Sequence, residues 1–458
     1  MSSVKYSIVI PTRERPETLQ HCLNCCLAID YSDYEIIVHD NCSSPETRRV
    51  VDRFASPRIK YYRTDRTLSM TKNWEAAMAR AAGEWITFIG DDDGMLPYAF
   101  EQLDRLIEQS GMKMIQWTAA YYVWPSRECP ANSDYLAIPL QRACEIINAR
   151  DTIKRIAKDP RFVFGNLAGC YHGMVHRSII DEAIAVAGSA FIGYQPDLYS
   201  ALSTAFIARE YLFIRIPISI VGHSPKSNGG IGLAKQDKIH QEDTYADFYS
   251  LSREDRLPTH PWIGPIKAYP ETGVLEPLLL VQDLFYPSDT DLRMDRQTVI
   301  EMAVSAFRPA TIDDWESFNS QVRESVKSDS TLLPWVEQLL SQRDWKKLEK
   351  PVEPSFPKGN GYLRNSLHLD ASKFGVDNIH SAAALCENIL CLKGNNFDVA
   401  IVKQPTANKA AVEISQAVEF SETEFAANGK QGRLDRLGLP RSWVRLIRSC
   451  LAKLGKKY

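Results

Sequence analysis

Over the first 120 residues, short apolar runs rich in β-branched and aromatic residues alternate with stretches whose apolar positions recur every three or four residues. Tyr6–Ile10, Glu35–His39, Ile59–Arg63, Trp85–Ile89 and Met114–Thr118 have the first pattern and are predicted strands, each bounded by polar or turn residues. Pro16–Ile29, Pro45–Phe54, Thr71–Ala82 and Tyr98–Gln109 have the second and are predicted helices. Pro16, Pro45 and Pro97 stand at helix starts, where a missing N–H costs nothing. This alternation predicts an α/β fold, a mostly parallel sheet flanked by helices on both faces. Ligands bind such sheets at the carboxyl ends of the strands, so the polar residues that follow each strand are where chemistry is expected.

From about residue 120 to 230 the pattern is mixed, with predicted strands at Gly173–Val175 and Tyr211–Ile220. After Gly229-Gly230 the character becomes mainly helical, as in Gln297–Phe307 and Thr331–Gln342. A proline-bearing stretch, 349–358, reads as a linker or extended arm. The predicted organisation is an α/β domain over 1–235, divided into halves 1–110 and 111–235. A mainly helical region over 236–350 follows, then the linker, an uncharacterised stretch and a basic tail over 351–458.

With 458 residues, 44% hydrophobic and 24% charged, the chain is long enough to bury a sizeable core, which excludes a disordered or disulfide-stapled chain. A formal charge of −3 gives no global basic field, so nucleic acid is not an expected partner. Ten cysteines are irregularly placed; Cys22 and Cys25 have CxxC spacing but lie inside a predicted helix with no second ligand pair, so they read as small buried apolar residues. The first apolar run is too short for a signal peptide and no stretch approaches a membrane span, which places the expected location in the cytoplasm. Between Lys430 and Tyr458 nine Lys or Arg stand against one Asp, a net charge of +8. There Trp443, Ile447, Cys450 and Leu454 share one helical face and Arg441, Arg445 and Arg448 another. Such a helix suits an anionic membrane surface, peripheral at the cytoplasmic face; the alternative is a terminal helix packed on its own domain.

The strongest chemical signal is Phe88-Ile-Gly-Asp-Asp-Asp-Gly-Met-Leu-Pro97, directly after a predicted strand. Three consecutive carboxylates repel one another, and a hard divalent ion completed by substrate phosphates and water resolves that repulsion. Pro11-Thr-Arg-Glu-Arg15 and Asp40-Asn-Cys-Ser-Ser44 follow the first and second strands, where they are placed to bind a nucleotide base; Thr12 and Ser44 as helix caps are the alternative.

Ser7-Ile-Val-Ile-Pro-Thr-Arg-Glu-Arg-Pro16, Glu35-Ile-Ile-Val-His-Asp-Asn-Cys-Ser43, Asn73-Trp-Glu-Ala-Ala-Met78 and Gly83-Glu-Trp-Ile-Thr-Phe-Ile-Gly-Asp-Asp-Asp93 occur in that order. Together they resemble the nucleotide-sugar-binding half of family 2 glycosyltransferases, which have the GT-A fold. The resemblance covers residues 5–110 and extends to about 230. It implies that Pro11, Thr12, Arg13 and Glu14 hold base and ribose, that Asp40 contacts the base, and that Lys72 and Asn73 line the donor pocket. The family's DxD-type motif falls on Asp91, Asp92 and Asp93, with Asp92 and Asp93 as metal ligands for Mn²⁺ or Mg²⁺ and Asp91 on the donor side. Gly90 stands where many relatives carry the first acid of that motif.

The resemblance further implies a general base for the acceptor hydroxyl within Gly193-Tyr-Gln-Pro-Asp-Leu-Tyr199, which makes Asp197 the candidate; helix capping is the alternative role. His223 or Lys226, in the stretch Gly222–Gly230, is placed to meet the diphosphate. The implied activity is inverting, metal-dependent transfer from a nucleotide-diphosphate sugar, a UDP-sugar foremost, to a glycan or lipid-linked acceptor in bacterial surface polysaccharide synthesis. The competing readings are a catalytically silent nucleotide-sugar-binding or scaffolding protein of the same fold, and a sugar nucleotidyltransferase. The latter wants a glycine-rich phosphate loop that Pro11–Pro16 lacks.

Overall fold

The structure is a computed structural model that describes residues 4–126, 133–159, 162, 166–227, 247–264, 274–307, 311–329, 331–343, 360–390 and 401–403. In the first 117 residues strand and helix alternate: β1 (Tyr6–Thr12), α1 (Pro16–Leu27), β2 (Tyr34–Asp40), α2 (Pro45–Asp52), β3 (Ile59–Arg63), α3 (Met70–Met78), β4 (Trp85–Phe88), the short β5 (Gly94–Met95), α4 (Ala99–Ser110) and β6 (Met114–Trp117). Then come β7 (Ala120–Val123), β8 (Tyr135–Pro139), β9 (Cys144–Asn148), α5 (Ala149–Lys158), β10 (Gly173–His176), α6 (Arg177–Ala187), α7 (Pro196–Ala208), β11 (Glu210–Ile214) and β12 (Ser219–His223). A helical stretch follows, α8 (Leu275–Phe285), α9 (Arg296–Ala306), α10 (Ile312–Val326) and α11 (Leu333–Ser341), and then β13 (Gly361–Leu363), β14 (Ser366–Asp370), α12 (Ile379–Leu390) and β15 (Ile401–Lys403).

Among the described residues the strands form two sheets, ordered β15-β9-β11-β6-β10-β4-β1-β2-β3 and β13-β14-β8-β7-β12-β5. β4, β1, β2 and β3 are mutually parallel, and β10 enters antiparallel between β4 and β6. The period-2 pattern of β1 divides its side chains: Tyr6, Ile8 and Ile10 join one buried core and Val9 the other. The first core lies against α1, α4, α12 and the second sheet; the other lies against α3, α5, α6 and α7 and extends into α8–α11. Both faces of the large sheet are therefore covered, as the alternation predicts.

Two local readings change. Tyr211–Ile220, predicted as one strand, is two: β11 pairs in the large sheet, and β12 pairs with β7 and β5 in the second. Pro217 lies between them; it has no N–H for a ladder, and its carbonyl accepts from Tyr98 OH at 2.7 Å instead. The uncharacterised stretch after the linker folds back onto the α/β layers: β14 pairs with β8, and α12 packs with Cys386, Ile379 and Ala382 in the core beneath α1. Cys22, Cys25 and Cys26 are fully buried thiols on the inner face of α1, as their helical placement predicts. The linker and the basic tail lie outside the described residues, and among the described residues no helix is long and apolar enough to cross a membrane.

Candidate active site

β1, β2 and β4 are parallel; β1 and β2 end in register at Thr12 and Asp40 and β4 three positions earlier, opposite Val9, so the loops after them leave the same edge of the sheet. The loop after β4 carries Asp91, Asp92 and Asp93 and runs straight into β5, which pairs with β12. The acidic run is thus held between the two sheets. β12 approaches so closely that a Cβ on Gly222 would lie 1.8 Å from the carbonyl oxygen of Asp92; no other residue type fits there.

The three carboxylates, all buried, do different work. Asp93 accepts four hydrogen bonds: from Gly90 N at 2.6 Å, Tyr171 OH at 2.9 Å and His172 Nε2 at 2.9 Å on Oδ2, and from Gly222 N at 2.7 Å on Oδ1. Burial alone would raise its pKa, but His172 and these donors reverse that and hold it below the usual carboxylate value. Asp91 accepts from Thr12 Oγ1 at 2.5 Å and pairs with Arg15, whose Nη2 is 2.7 Å from Oδ1. Burial and repulsion from Asp92 and Asp93 outweigh Arg15 and Thr12 and push Asp91 up to about 7. Asp92 is held on one side only: Ser224 N and Oγ donate to Oδ2 at 3.1 and 2.7 Å, and Arg15 Nη1 lies 3.5 Å from the same oxygen. Its Oδ1 stands outside these bonds.

That difference decides how a metal fits. Among the described residues no group of three or more His, Cys, Asp or Glu side chains is arranged to hold an ion. One carboxylate oxygen, at Asp92, suits a hard divalent cation whose other ligands are phosphate oxygens and water. Asp93, expected as a second ligand, has both oxygens committed to the fold.

Asp197 lies half-buried in the first turn of α7. Burial raises its pKa against the N–H groups of Leu198 and of its own residue. Its charge reaches Tyr171, whose hydroxyl donates to Asp93. The loop before α7 is tied to α3, since Thr71 Oγ1 donates to Gly193 O at 2.7 Å.

The other predicted residues sit around this centre. Pro11 is half-buried at the end of β1. Glu14 accepts from Ser44 N and Oγ at 2.7 and 2.8 Å, at a backbone φ of 54°, and so clamps the loop after β2. Asp40, at the end of β2, is buried and accepts from Ser43 N at 2.8 Å and Tyr61 OH at 2.5 Å. Arg13 is exposed and pairs with Asp247 at 2.9 Å, joining this loop to the helical residues 247–254. Asn73 is turned inward: its Oδ1 accepts from His39 Nδ1 at 2.8 Å in the core. Lys72 occupies the first turn of α3, its N–H donating to the cap residue Ser69. The His223 ring stacks obliquely on Tyr121 at 4.4 Å, and Lys226 is exposed beyond it. Arg15, Tyr171, His172, Gly222 and Ser224 hold the cluster together without having been singled out individually. Arg15 and Ser224 fall within motifs read for other residues, whereas Tyr171 and His172 come from a segment without any motif.

The sequence profile described as "Glycosyl transferase family 2" matches residues 7–179. The GalNAc(5)-diNAcBac-PP-undecaprenol beta-1,3-glucosyltransferase of Campylobacter jejuni is 33% identical over 102 residues, 22% of this chain and 33% of that protein. The succinoglycan biosynthesis protein ExoO of Rhizobium meliloti is 26% identical over 104 residues, 23% of this chain and 29% of that protein. This chain thus spans about a third of the length of these relatives. The crystal structure of S. aureus TarS 1-349 in complex with UDP-GlcNAc aligns with a TM-score of 0.43 at 10% identity, covering 74% of this chain and 88% of that one.

Proposed function

We propose that this chain, whose residues 7–179 belong to Glycosyl transferase family 2, transfers a sugar from a nucleotide-diphosphate sugar, a UDP-sugar foremost, to a hydroxyl of a glycan or lipid-linked acceptor. The observation that carries the reading is the division of labour in the acidic run: Asp93 accepts four hydrogen bonds and Asp91 is held by Thr12 and Arg15, while the bonds to Asp92 all fall on Oδ2 and leave Oδ1 outside them. Asp92 would hold Mn²⁺ or Mg²⁺, which supplies positive charge to the leaving diphosphate.

Thr12, Arg13, Glu14 and Asp40, in the loop after β1 and at the end of β2, would hold base and ribose, with Pro11, Lys72 and His223 as further donor-binding residues. Asp197 takes the proton of the acceptor hydroxyl as its oxygen bonds to the anomeric carbon; the bond from that carbon to the diphosphate breaks on the opposite face, inverting the configuration. A carboxyl whose pKa is raised by burial is, once ionised, a better base than an ordinary aspartate. Holding both substrates between the two sheets supplies the orientation.

The relative named for a PP-undecaprenol substrate favours a lipid-linked acceptor, and the tail Arg441–Tyr458 would bring the enzyme to an anionic membrane surface in bacterial polysaccharide synthesis. Removing that tail is expected to lower the fraction that sediments with anionic vesicles; an unchanged fraction refutes the membrane role. The activity is tested by incubating the full chain with UDP-, GDP-, dTDP- and CMP-sugars and Mn²⁺ and following release of the nucleotide. Release from one donor, abolished by chelation, is expected; release from none in a folded sample turns the reading toward a scaffold.

A further inference from the structure

The acidic cluster contains a cation that the reaction above does not use. Arg15 ends the loop after β1, and its guanidinium is directed into the cluster rather than to solvent, its side chain being only 20% exposed. Nη2 is engaged by Asp91 at 2.7 Å, whereas Nη1 stops 3.5 Å short of Asp92. Nη1 is buried and has no hydrogen-bond acceptor among the described residues. A buried charged donor left unpaired is expensive, and native sites retain one where a ligand or water completes it. The same guanidinium is close enough to Asp92 to oppose any second cation placed there, because water screens little at a buried position.

We infer that Arg15 couples the two halves of donor binding. Without a diphosphate, its charge opposes a divalent ion at Asp92. With one, Nη1 donates to a phosphate oxygen, and that anion draws ion and guanidinium together. The inference rests on the donor-site reading given above. It makes ion and diphosphate binding mutually cooperative, and thermodynamic linkage requires each to raise the affinity of the other by the same factor. It also gives Asp91 a role at this position: its Oδ1, 2.7 Å from Nη2, holds the Arg15 guanidinium in place from behind.

The test is Mn²⁺ binding to the full chain, followed by the electron paramagnetic resonance signal of the unbound ion, with and without UDP or GDP, after the Mn²⁺ taken up by the nucleotide alone has been measured in a protein-free titration and subtracted. In the wild type the nucleotide is expected to tighten Mn²⁺ binding by about tenfold or more, within the usual range of coupling factors. Arg15→Gln is expected to bind Mn²⁺ alone more tightly than the wild type and to gain several-fold less from the nucleotide, keeping only the coupling that the ion's own phosphate ligands supply. Arg15→Lys keeps the charge and loses the fork, so its binding of Mn²⁺ alone stays as weak as in the wild type while the gain from nucleotide falls. A gain in Arg15→Gln equal to that of the wild type overturns the inference and leaves the donor site standing. A wild type that binds no Mn²⁺ with either nucleotide overturns the donor-site reading itself, and this inference with it.

Discussion

Replacing Asp93 by Asn tests the division of labour among the three carboxylates. Four donors converge on Asp93, three on Oδ2 and one on Oδ1. An amide has one acceptor oxygen, so turning that oxygen toward Gly90, Tyr171 and His172 leaves an NH₂ group facing the Gly222 N–H. One buried donor then loses its acceptor, which costs about 1–3 kcal/mol, and three charge-assisted bonds become neutral ones at a loss of about 0.5–1.5 kcal/mol each. The sum is about 5 kcal/mol, a large part of the stability of a typical domain. Asp92→Asn differs only by an amide oxygen that still accepts both Ser224 bonds, so about 1 kcal/mol is expected there. Guanidinium unfolding of both variants beside the wild type at pH 7 measures the contrast. Because the partners of Asp93 hold its pKa down, the stability it contributes is present above the unfolded aspartate pKa of about 3.9 and is lost as pH falls through the lower folded value. The gap between Asp93→Asn and the wild type should therefore narrow in acid. An Asp93→Asn protein within 1 kcal/mol of the wild type at pH 7 would refute the assignment of Asp93 to the fold.

Asp197→Asn is expected to keep nucleotide and Mn²⁺ affinity while transfer slows by roughly 10²- to 10⁴-fold, and a near-wild-type rate would place the base elsewhere. In the wild type the acid limb of the rate profile should lie above the ordinary aspartate value, because burial raises the Asp197 pKa. Glu276, in the first turn of α8, is pushed up to about 7 by burial against a backbone hydrogen bond from His260. A raised carboxyl favours the fold at low pH and loses that stability as pH climbs from 4.5 to about 7, on the order of 3 kcal/mol. Glu276→Gln should accordingly be more stable than the wild type at pH 8 and similar to it at pH 4.5 in thermal denaturation; equal stability at both values would contradict the burial account.

The parallel core of the fold was legible because its signal is local. In β1, β2 and β4 apolar runs end at polar loops, and Pro16 and Pro45 fix the starts of α1 and α2, so period and punctuation agree. The same locality made the site's position legible, since Asp91–Asp93 directly follow a strand. What each carboxylate does was not legible, because it depends on partners far along the chain: His172 and Tyr171 lie 79 and 78 positions from Asp93, and Ser224 lies 132 from Asp92. Three adjacent aspartates look alike until the donors are placed around them. Asn73 illustrates the converse, since its place in a motif suggested a pocket residue while its partner His39, on the neighbouring strand, takes it into the core. The return of β14 and α12 to the α/β layers was hidden for the same reason, as its strands are short and their partner β8 lies more than 200 residues earlier.

In the proposed mechanism Asp92 binds a divalent ion together with a nucleotide-diphosphate donor. Titration calorimetry of the full chain with UDP- and GDP-sugars, with Mn²⁺ and with chelator, in the wild type and in Asp92→Asn, tests it directly. Binding of one donor should require Mn²⁺ in the wild type and weaken at least about 100-fold, about 2.7 kcal/mol, in Asp92→Asn while the protein stays folded. Donor binding that is equally tight with and without Mn²⁺, or unchanged in Asp92→Asn, would contradict it.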